Sequence, residues 1–583
     1  MAEAHFNVLL IQLETGQSEL IAFGDRAEWL GGSGLAVALF QAYGLPDAPF
    51  DDPQQPLIFA IGTLSGYFPL MSKVVCGFKS PYHNQYAESH AGGRLALALR
   101  FAGCDAVVIR GRAPRPTALG IGTGGAVRQV DVHYLWGEDV FATGKLLRRI
   151  FPEDTGHRSM LRIGPAGENQ LGYACINVDT YRHFGRLGAG TVMGSKQLKA
   201  IVVGGEAGLQ LPGGQAYNKQ YAEIHRQVTA TNLLQKYHDL GTAENLAPLN
   251  AAKALPWRNL QQTSDAAIDG VSGETFAAQA LLRQTACAGC PIGCIHIGML
   301  REQFAGDSHF LYREVGYDYE PIFAAGTMLG LTRAAEVLTL LDEVEKLGMD
   351  IMSSGVALAW AAEALARGVI SERETLVPLV FGDLAGFKTA VVYLGRAANE
   401  FYRLLGQGTL QAASRYGGEE FACVLGQEMA GYATGEVFFT AQSLGFRHSH
   451  LDAAGYSYDQ TQPGKDVAKA VEFLVKDEAD RCLLTSCVGC LFARKLYSQP
   501  VLAECLESLG WSAAARQLDA IAVRVQRARW QMRLATGYDP RQVPLPKRFG
   551  EVVNWKGPID QGYLSELRGA YARAILDFGR PDH

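Results

Sequence analysis

Three apolar runs rich in β-branched residues open the reading: "FNVLLIQLE" (6–14), "DAVVIRG" (105–111) and "LKAIVVGG" (198–205). Each is short and ends in glycine or polar residues, which predicts strands. Beyond residue 207 the period changes. In "LTRAAEVLTLLDEVEKLGMD", Val337, Leu341 and Val344 repeat at helical spacing, with Thr332 placed to cap the start. "GVALAWAAEALARG" predicts a second helix stopped by Gly368. "VAKAVEFLVKDEADRCLL" and "AAARQLDAIAVRVQRARWQMRLATG" continue helical to the last third. The pattern predicts an α+β fold: a β-rich base over 1–207, then two mainly helical domains over 208–405 and 406–583. No internal repeat or low-complexity linker separates them.

Composition narrows the class. The chain has 583 residues, 48% of them hydrophobic and 19% charged, as in a globular protein with large interiors. A net charge of −6 argues against a nucleic-acid surface, which needs a basic stripe. No stretch approaches the roughly 18 uncharged apolar residues of a membrane span, and the N-terminus lacks a secretory pattern. Clustered rather than evenly spread cysteines make a reducing cytoplasm the expectation.

The cysteines bring in chemistry. "CAGCPIGC" places Cys287, Cys290 and Cys294 within eight positions of a chain that has 11 cysteines. Zinc sites favour paired C-x2-C knuckles, and a structural zinc is the competing reading. Three thiolates so close suit three corners of an iron–sulfur cubane, whose fourth ligand comes from elsewhere. "TSCVGCLF" offers Cys487 and Cys490. Cys76, Cys104, Cys175, Cys423, Cys482 and Cys505 stand alone and read as inert. Such a cluster moves single electrons, so bond chemistry requires a second cofactor.

The place to seek it is the glycine-rich first third. "LGGSGLAVAL" (30–39), "FKSPYHNQYAESHAGGRLALALRFAGCDAVVIRG" (78–111), "IGPAGENQLGYACIN" (163–177) and "RHFGRLGAGTVMGSKQLKAI" (182–201) contain neither a dinucleotide fingerprint nor a P-loop. Glycines beside Arg182, Arg186 and Lys196 suit a polyanion, since backbone N–H groups and cations can share phosphate oxygens. In this order, followed by C-x2-C-x3-C and the Cys490-Leu491-Phe492 element, the motifs resemble the aldehyde:ferredoxin oxidoreductase family of tungsten enzymes. The resemblance runs from about residue 30 to 495.

It implies a base carrying tungsten, or molybdenum, on two pterins with Mg2+ bridging their phosphates, enclosed by two helical domains. By position, Cys287, Cys290, Cys294 and Cys490 would hold a [4Fe–4S] cluster. Lys73 would stand between cluster and pterin, where arginine is usual. His90, before Gly92 and Gly93, would offer its carbonyl to the magnesium, and Arg182, Gly185, Arg186 and Lys196 would lie at the pterin phosphates. The first D-x-x-G-L-[CD] motif reads "EKLGMD", with Glu345, Gly348 and Asp350; the second reads "TSCVGC", with Thr485 in the acidic place.

For catalysis, "GYDYEP" supplies Asp318 and Glu320, and "SLGFRHSHLD" supplies His448, which aligns best, and His450 as competitor. A carboxylate and an imidazole suit oxidation of an aldehyde by water, one activating water and the other polarising the carbonyl or relaying protons. "YATG" (432–435) departs from the family's proline-rich turn. The resemblance implies a ferredoxin or ferredoxin-like iron–sulfur partner, a small aldehyde or other carbonyl substrate and a homodimer. Two alternatives stand beside aldehyde oxidation: a low-potential reductase subunit acting on an aromatic acyl-CoA, and a non-catalytic electron relay.

Overall fold

The computed structural model describes residues 4–152, 158–305 and 309–580. Its first third is built on twelve strands: β1 (Phe6–Gln12), β2 (Gln17–Phe23), β3 (Leu57–Ala60), β4 (Val74–Lys79), β5 (Tyr86–Ala91), β6 (Ala106–Arg110), β7 (Thr117–Ile121), β8 (Val127–Asp131), β9 (Ser159–Arg162), β10 (Ile176–Val178), β11 (Arg182–Phe184) and β12 (Leu198–Val203). They form two six-stranded sheets, ordered β2-β1-β6-β3-β4-β5 and β11-β10-β9-β12-β7-β8. β1 runs parallel to β6, with Val8 opposite Ala106, and antiparallel to β2, with Phe6 opposite Phe23.

Because successive strand residues point to opposite faces, the apolar runs serve two cores. Leu9, Ile11, Val107 and Ile109 pack between the sheets against Leu161, Ile201 and Val203. Phe6, Val8, Ile58 and Val108 face the other way, joining the helix Gly32–Tyr43 and C-terminal residues Leu474, Trp530 and Tyr571. Burial on both faces explains why these strands read as nearly continuous apolar runs.

Helices dominate the rest of the chain, interrupted by two short strand pairs, Val424–Leu425 with Gln427–Glu428 and Val553–Asn554 with Gly557–Pro558, and by one larger departure. β13 (Leu281–Thr285), β14 (Ile295–Ala305) and β15 (His309–Tyr317) make a three-stranded antiparallel sheet inside the region whose composition predicts helices. Ile295, His296, Ile297 and Gly298 are all buried at the start of β14, but from Met299 onward exposed residues alternate with Leu300 and Glu302, so the strand lacks a long apolar run. The helix Ala334–Leu347 starts with Arg333 extended at its N-cap and no side-chain cap bond, so Thr332 lies outside it. Gly368, at φ 70°, does end the helix Ile351–Ala366, donating its N–H to the Leu365 carbonyl at 3.1 Å. Among the described residues no helix is long and apolar enough to cross a membrane.

Candidate active site

The cysteine triplet is a hairpin loop. Thr285 at the end of β13 pairs with Ile295 at the start of β14, which closes the chain between them and crowds Cys287, Cys290 and Cys294 into one turn. Gly289 and Gly293 sit at φ 67° and 68°, conformations costly for residues with a Cβ. The loop docks on the base: the Ala288 N–H donates to the Gly93 carbonyl at 3.0 Å, and the Gly93 N–H reaches Cys287 Sγ at 3.2 Å. From the C-terminal region the Cys490 N–H donates to the Leu70 carbonyl at 3.0 Å, bringing in a fourth thiol.

All four thiols line one cavity of about 410 Å³. Cys487 is 1% exposed, packs in the helical core and does not line it. Burial pushes the Cys490-adjacent thiols Cys290 and Cys294 up to about 12 and about 11, whereas Lys73 and Arg182 outweigh burial and bring Cys287 down. For Lys73, burial works against the charge, but thiolates at Cys490 and Cys287 prevail and raise its proton affinity. Among the described residues, no three His, Cys, Asp or Glu side chains converge tightly enough for a single ion.

β5 delivers Glu88 and His90 to the same cavity. Glu88 accepts from Arg529 Nε at 2.9 Å and pairs with His90 Nε2 at 3.2 Å. Burial, reinforced by Arg447, lowers His90 to about 4 and keeps it neutral near pH 7. Arg186 reaches Asp350 at 3.1 Å and the Glu428 carbonyl at 2.7 Å. Asp350 also caps the helix Ile351–Ala366. Glu345, last turn of the preceding helix, accepts from Asn177 at 2.9 Å and His183 at 2.8 Å, and Gly348 at φ 72° turns the chain out of that helix. Thr485 lines the cavity with its hydroxyl 3.0 Å from Ser33 Oγ.

One phosphate-facing candidate sits elsewhere. Lys196 is buried, donates to the Pro53 and Gly111 carbonyls at 2.9 and 3.4 Å, and does not line the cavity. Burial lowers it to about 7. It ties loops of the base together, a role its place in "GSK" does not reveal.

The catalytic candidates need a similar correction. Asp318 begins the helix Tyr319–Ala325, so Asp318 and Glu320 both reach the cavity. Glu320 Oε1 lies 3.0 Å from His450 Nε2 and accepts from the Tyr432 hydroxyl at 3.1 Å. His448, the better-aligned residue, is turned away: its Nδ1 meets the Ser443 carbonyl at 2.9 Å and its Nε2 meets Arg533 at 2.5 Å. His448 sits at φ 50°, and this left-handed turn sends residues 448 and 450 in different directions. Burial, then Arg533, holds His448 far below the usual histidine range. Burial would raise Glu320, but its bond to His450 and the Tyr432 hydroxyl bring it down. Burial and the Glu320 charge push Asp318 up to about 7.

The cavity has unmet demands. Arg182 Nε, Arg186 Nη1 and His450 Nδ1 are buried without hydrogen-bond partners, and all three residues line it. A Cβ on Gly185 would meet nothing within 4 Å, while one on Gly92 would lie 2.7 Å from Cys287 Sγ. Orphan guanidinium donors beside glycine-smoothed backbone fit an anionic cofactor.

Comparison with known proteins places the whole chain in one family. The family models described as "Aldehyde ferredoxin oxidoreductase, N-terminal domain" and "Aldehyde ferredoxin oxidoreductase, domains 2 & 3" match residues 8–205 and 219–574. The chain belongs to the aldehyde ferredoxin oxidoreductase family. A tungsten-containing aldehyde ferredoxin oxidoreductase of Thermococcus kodakarensis is 28% identical, over 96% of this chain and 93% of the relative. One from Pyrococcus abyssi is 29% identical over 96% and 94%. The Pyrococcus furiosus aliphatic sulfonate oxidoreductase, WOR-like subunit, matches at 27% over 61% of this chain and 58% of its own. The solved active site complex BamBC of benzoyl coenzyme A reductase with 1,5-dienoyl-CoA shares the fold: TM-score 0.80, 19% identity, 98% of this chain and 94% of that one. This family member is therefore an oxidoreductase, and membership implies a tungsten–pterin cofactor.

The motifs single out neither His183 nor Tyr432. His183 lies between two selected arginines, and "YATG" marks Tyr432 only as a departure. Contacts spanning 162 and 112 residues leave no local signal.

Proposed function

We propose that this chain oxidises an aldehyde to a carboxylic acid and passes the electrons through a [4Fe–4S] cluster, held by Cys287, Cys290, Cys294 and Cys490, to ferredoxin or an iron–sulfur subunit. The observation that carries the reading is the Glu320–His450 pair with a bare, buried Nδ1 in the cavity. Aldehyde and water yield acid, two protons and two electrons. When bound, the tungsten or molybdenum pterin supplies the two-electron redox change. Glu320 fixes the imidazole with its proton on Nε2, which leaves Nδ1 to accept a proton from water. Asp318, raised to about 7 by burial and by Glu320, holds its proton in a large fraction of molecules at neutral pH and can donate it to the aldehyde oxygen. Arg182 and Arg186 would receive pterin phosphates, the His90 carbonyl would face the bridging Mg2+, and Lys73 would stand between cluster and pterin.

Elemental analysis of anaerobically purified protein should find about four irons with one tungsten or molybdenum. Iron alone would favour an electron relay. Glu320→Gln and His450→Gln should each lower aldehyde-dependent dye reduction by about 10²–10⁴ with metal content unchanged. Normal turnover in either removes that residue from the mechanism. The BamBC likeness supports the alternative of an aromatic acyl-CoA reductase, for which the same protein would add two electrons and two protons to the aromatic ring, leave the thioester intact and not act on aldehydes.

A further inference from the structure

The sheet beside the cluster sorts its side chains unusually. Its inner face, with Leu300, Val315 and Gly298, packs on the helix Ala334–Leu347, and its acid Glu302 is held there by Arg313 and Lys388, each at 3.6 Å. The outward face carries Met299, Arg301 and Arg283 beside Tyr312 and Glu314, in the register Met299↔Glu314, Arg301↔Tyr312. Met299 is 42% and Tyr312 62% exposed, where a solvated strand face is ordinarily polar. Arg301 lies over the Phe310 ring at 3.6 Å, keeping a cation on an aromatic floor.

We propose that this outward face docks the electron acceptor, a small acidic iron–sulfur carrier; this rests on the electron-transfer reading above. Position supports it first. β13 and β14 are the two arms of the hairpin whose loop holds Cys287, Cys290 and Cys294. Tyr181 bridges the two: its hydroxyl donates to Glu314 at 2.6 Å, and the next residue, Arg182, has its charge felt by Cys287 and Cys294. Charge supports it second. The chain carries −6 overall, yet the described residues of this face present Arg283 and Arg301 against Glu314 alone. That acid is taken up by Tyr181 and by Arg283 at 2.6 Å. Arg283 is spent on that acid, so the cation this face offers is Arg301, beside exposed Met299 and Tyr312, and a cation among exposed Met and Tyr suits an acidic partner. Each aldehyde oxidised releases two electrons, so two singly reduced carriers leave per turnover.

The test uses the holoenzyme with Arg301→Glu and Tyr312→Ser, an acidic [4Fe–4S] ferredoxin as probe, and benzyl viologen as the small acceptor. Expected are a rise of about tenfold in KM for ferredoxin, an equal loss of ferredoxin binding to the oxidised protein without turnover, and unchanged dye rates. Lys388→Glu, on the opposite face, should change neither. Unaltered KM and binding in both outward variants would overturn the proposal. So would conversion of a dimer to monomer with ferredoxin kinetics intact, which would assign the face to a second copy. Ferredoxin binding that falls in the variants of a protein inactive on aldehydes would keep the docking face and reject the aldehyde reading.

Discussion

Tyr432→Phe removes one oxygen atom and isolates one interaction. The phenol donates to Glu320 Oε1 at 3.1 Å, and its ring is held by Tyr319 at 4.8 Å and Tyr456 at 5.1 Å, so the ring should stay in place. Burial and the Glu320 charge keep the phenol protonated at every working pH. A hydrogen bond to a charged acceptor is worth about 1.5–3 kcal/mol. Its loss raises the proton affinity of Glu320, by no more than the worth of that bond. Activity that needs the carboxylate is then lost earlier on acidification, so the acid limb of kcat/KM for an aldehyde moves up accordingly while the plateau stays. Stability has the same sign. A carboxyl depressed in the fold stabilises it above its unfolded value and loses that contribution as pH falls through the folded one. The variant should therefore be less stable than the parent at pH 7, with the difference closing as pH falls through the folded-state value of Glu320. An unmoved acid limb with kcat lowered at all pH values would refute the reasoning, as would a stability difference that persists in acid.

Cys490→Ser should lower iron to about three atoms or fewer per chain, whereas Cys487→Ser should keep the iron and cost about 1–2 kcal/mol for a buried hydroxyl; the reverse would make Cys487 the ligand. Gly92→Ala would set a methyl 2.7 Å from Cys287 Sγ and 3.0 Å from Lys73 Nζ, so cluster occupancy should fall with the β-base still folded, read by iron content and circular dichroism. Lys196, lowered to about 7 by burial, binds fewer protons folded than unfolded up to its ordinary value, so the parent gains stability as pH rises from about 7 to 10. Lys196→Met should abolish that slope in chemical unfolding and leave tungsten content unchanged; lost tungsten would return Lys196 to the cofactor.

Much of the cavity's lining was legible because its residues come in local motifs. The spacing of Cys287, Cys290 and Cys294 is set by one loop, and the element ends that carry Asp318, Glu345 and Asp350 follow from helix starts and stops. The choice of Cys490 over Cys487 is different. Both follow the helix Val467–Ser486, and only packing against Leu70 shows which thiol turns to the cavity. Likewise Lys196 sits in a motif that suggests phosphate, yet the Pro53 and Gly111 carbonyls claim it.

By itself the sequence determined a β-rich base with helical domains, three cysteines close together on one loop, and an acidic element and a histidine pair as candidates for the chemistry. Periodicity and motif spacing are local properties, carried in a few consecutive residues. Only the tertiary structure decided that His450 rather than His448 meets Glu320, that Tyr432 completes that pair, and that β13, β14 and β15 frame the thiols. Those outcomes depend on a left-handed turn at His448, on contacts more than a hundred residues apart, and on which groups burial leaves without partners.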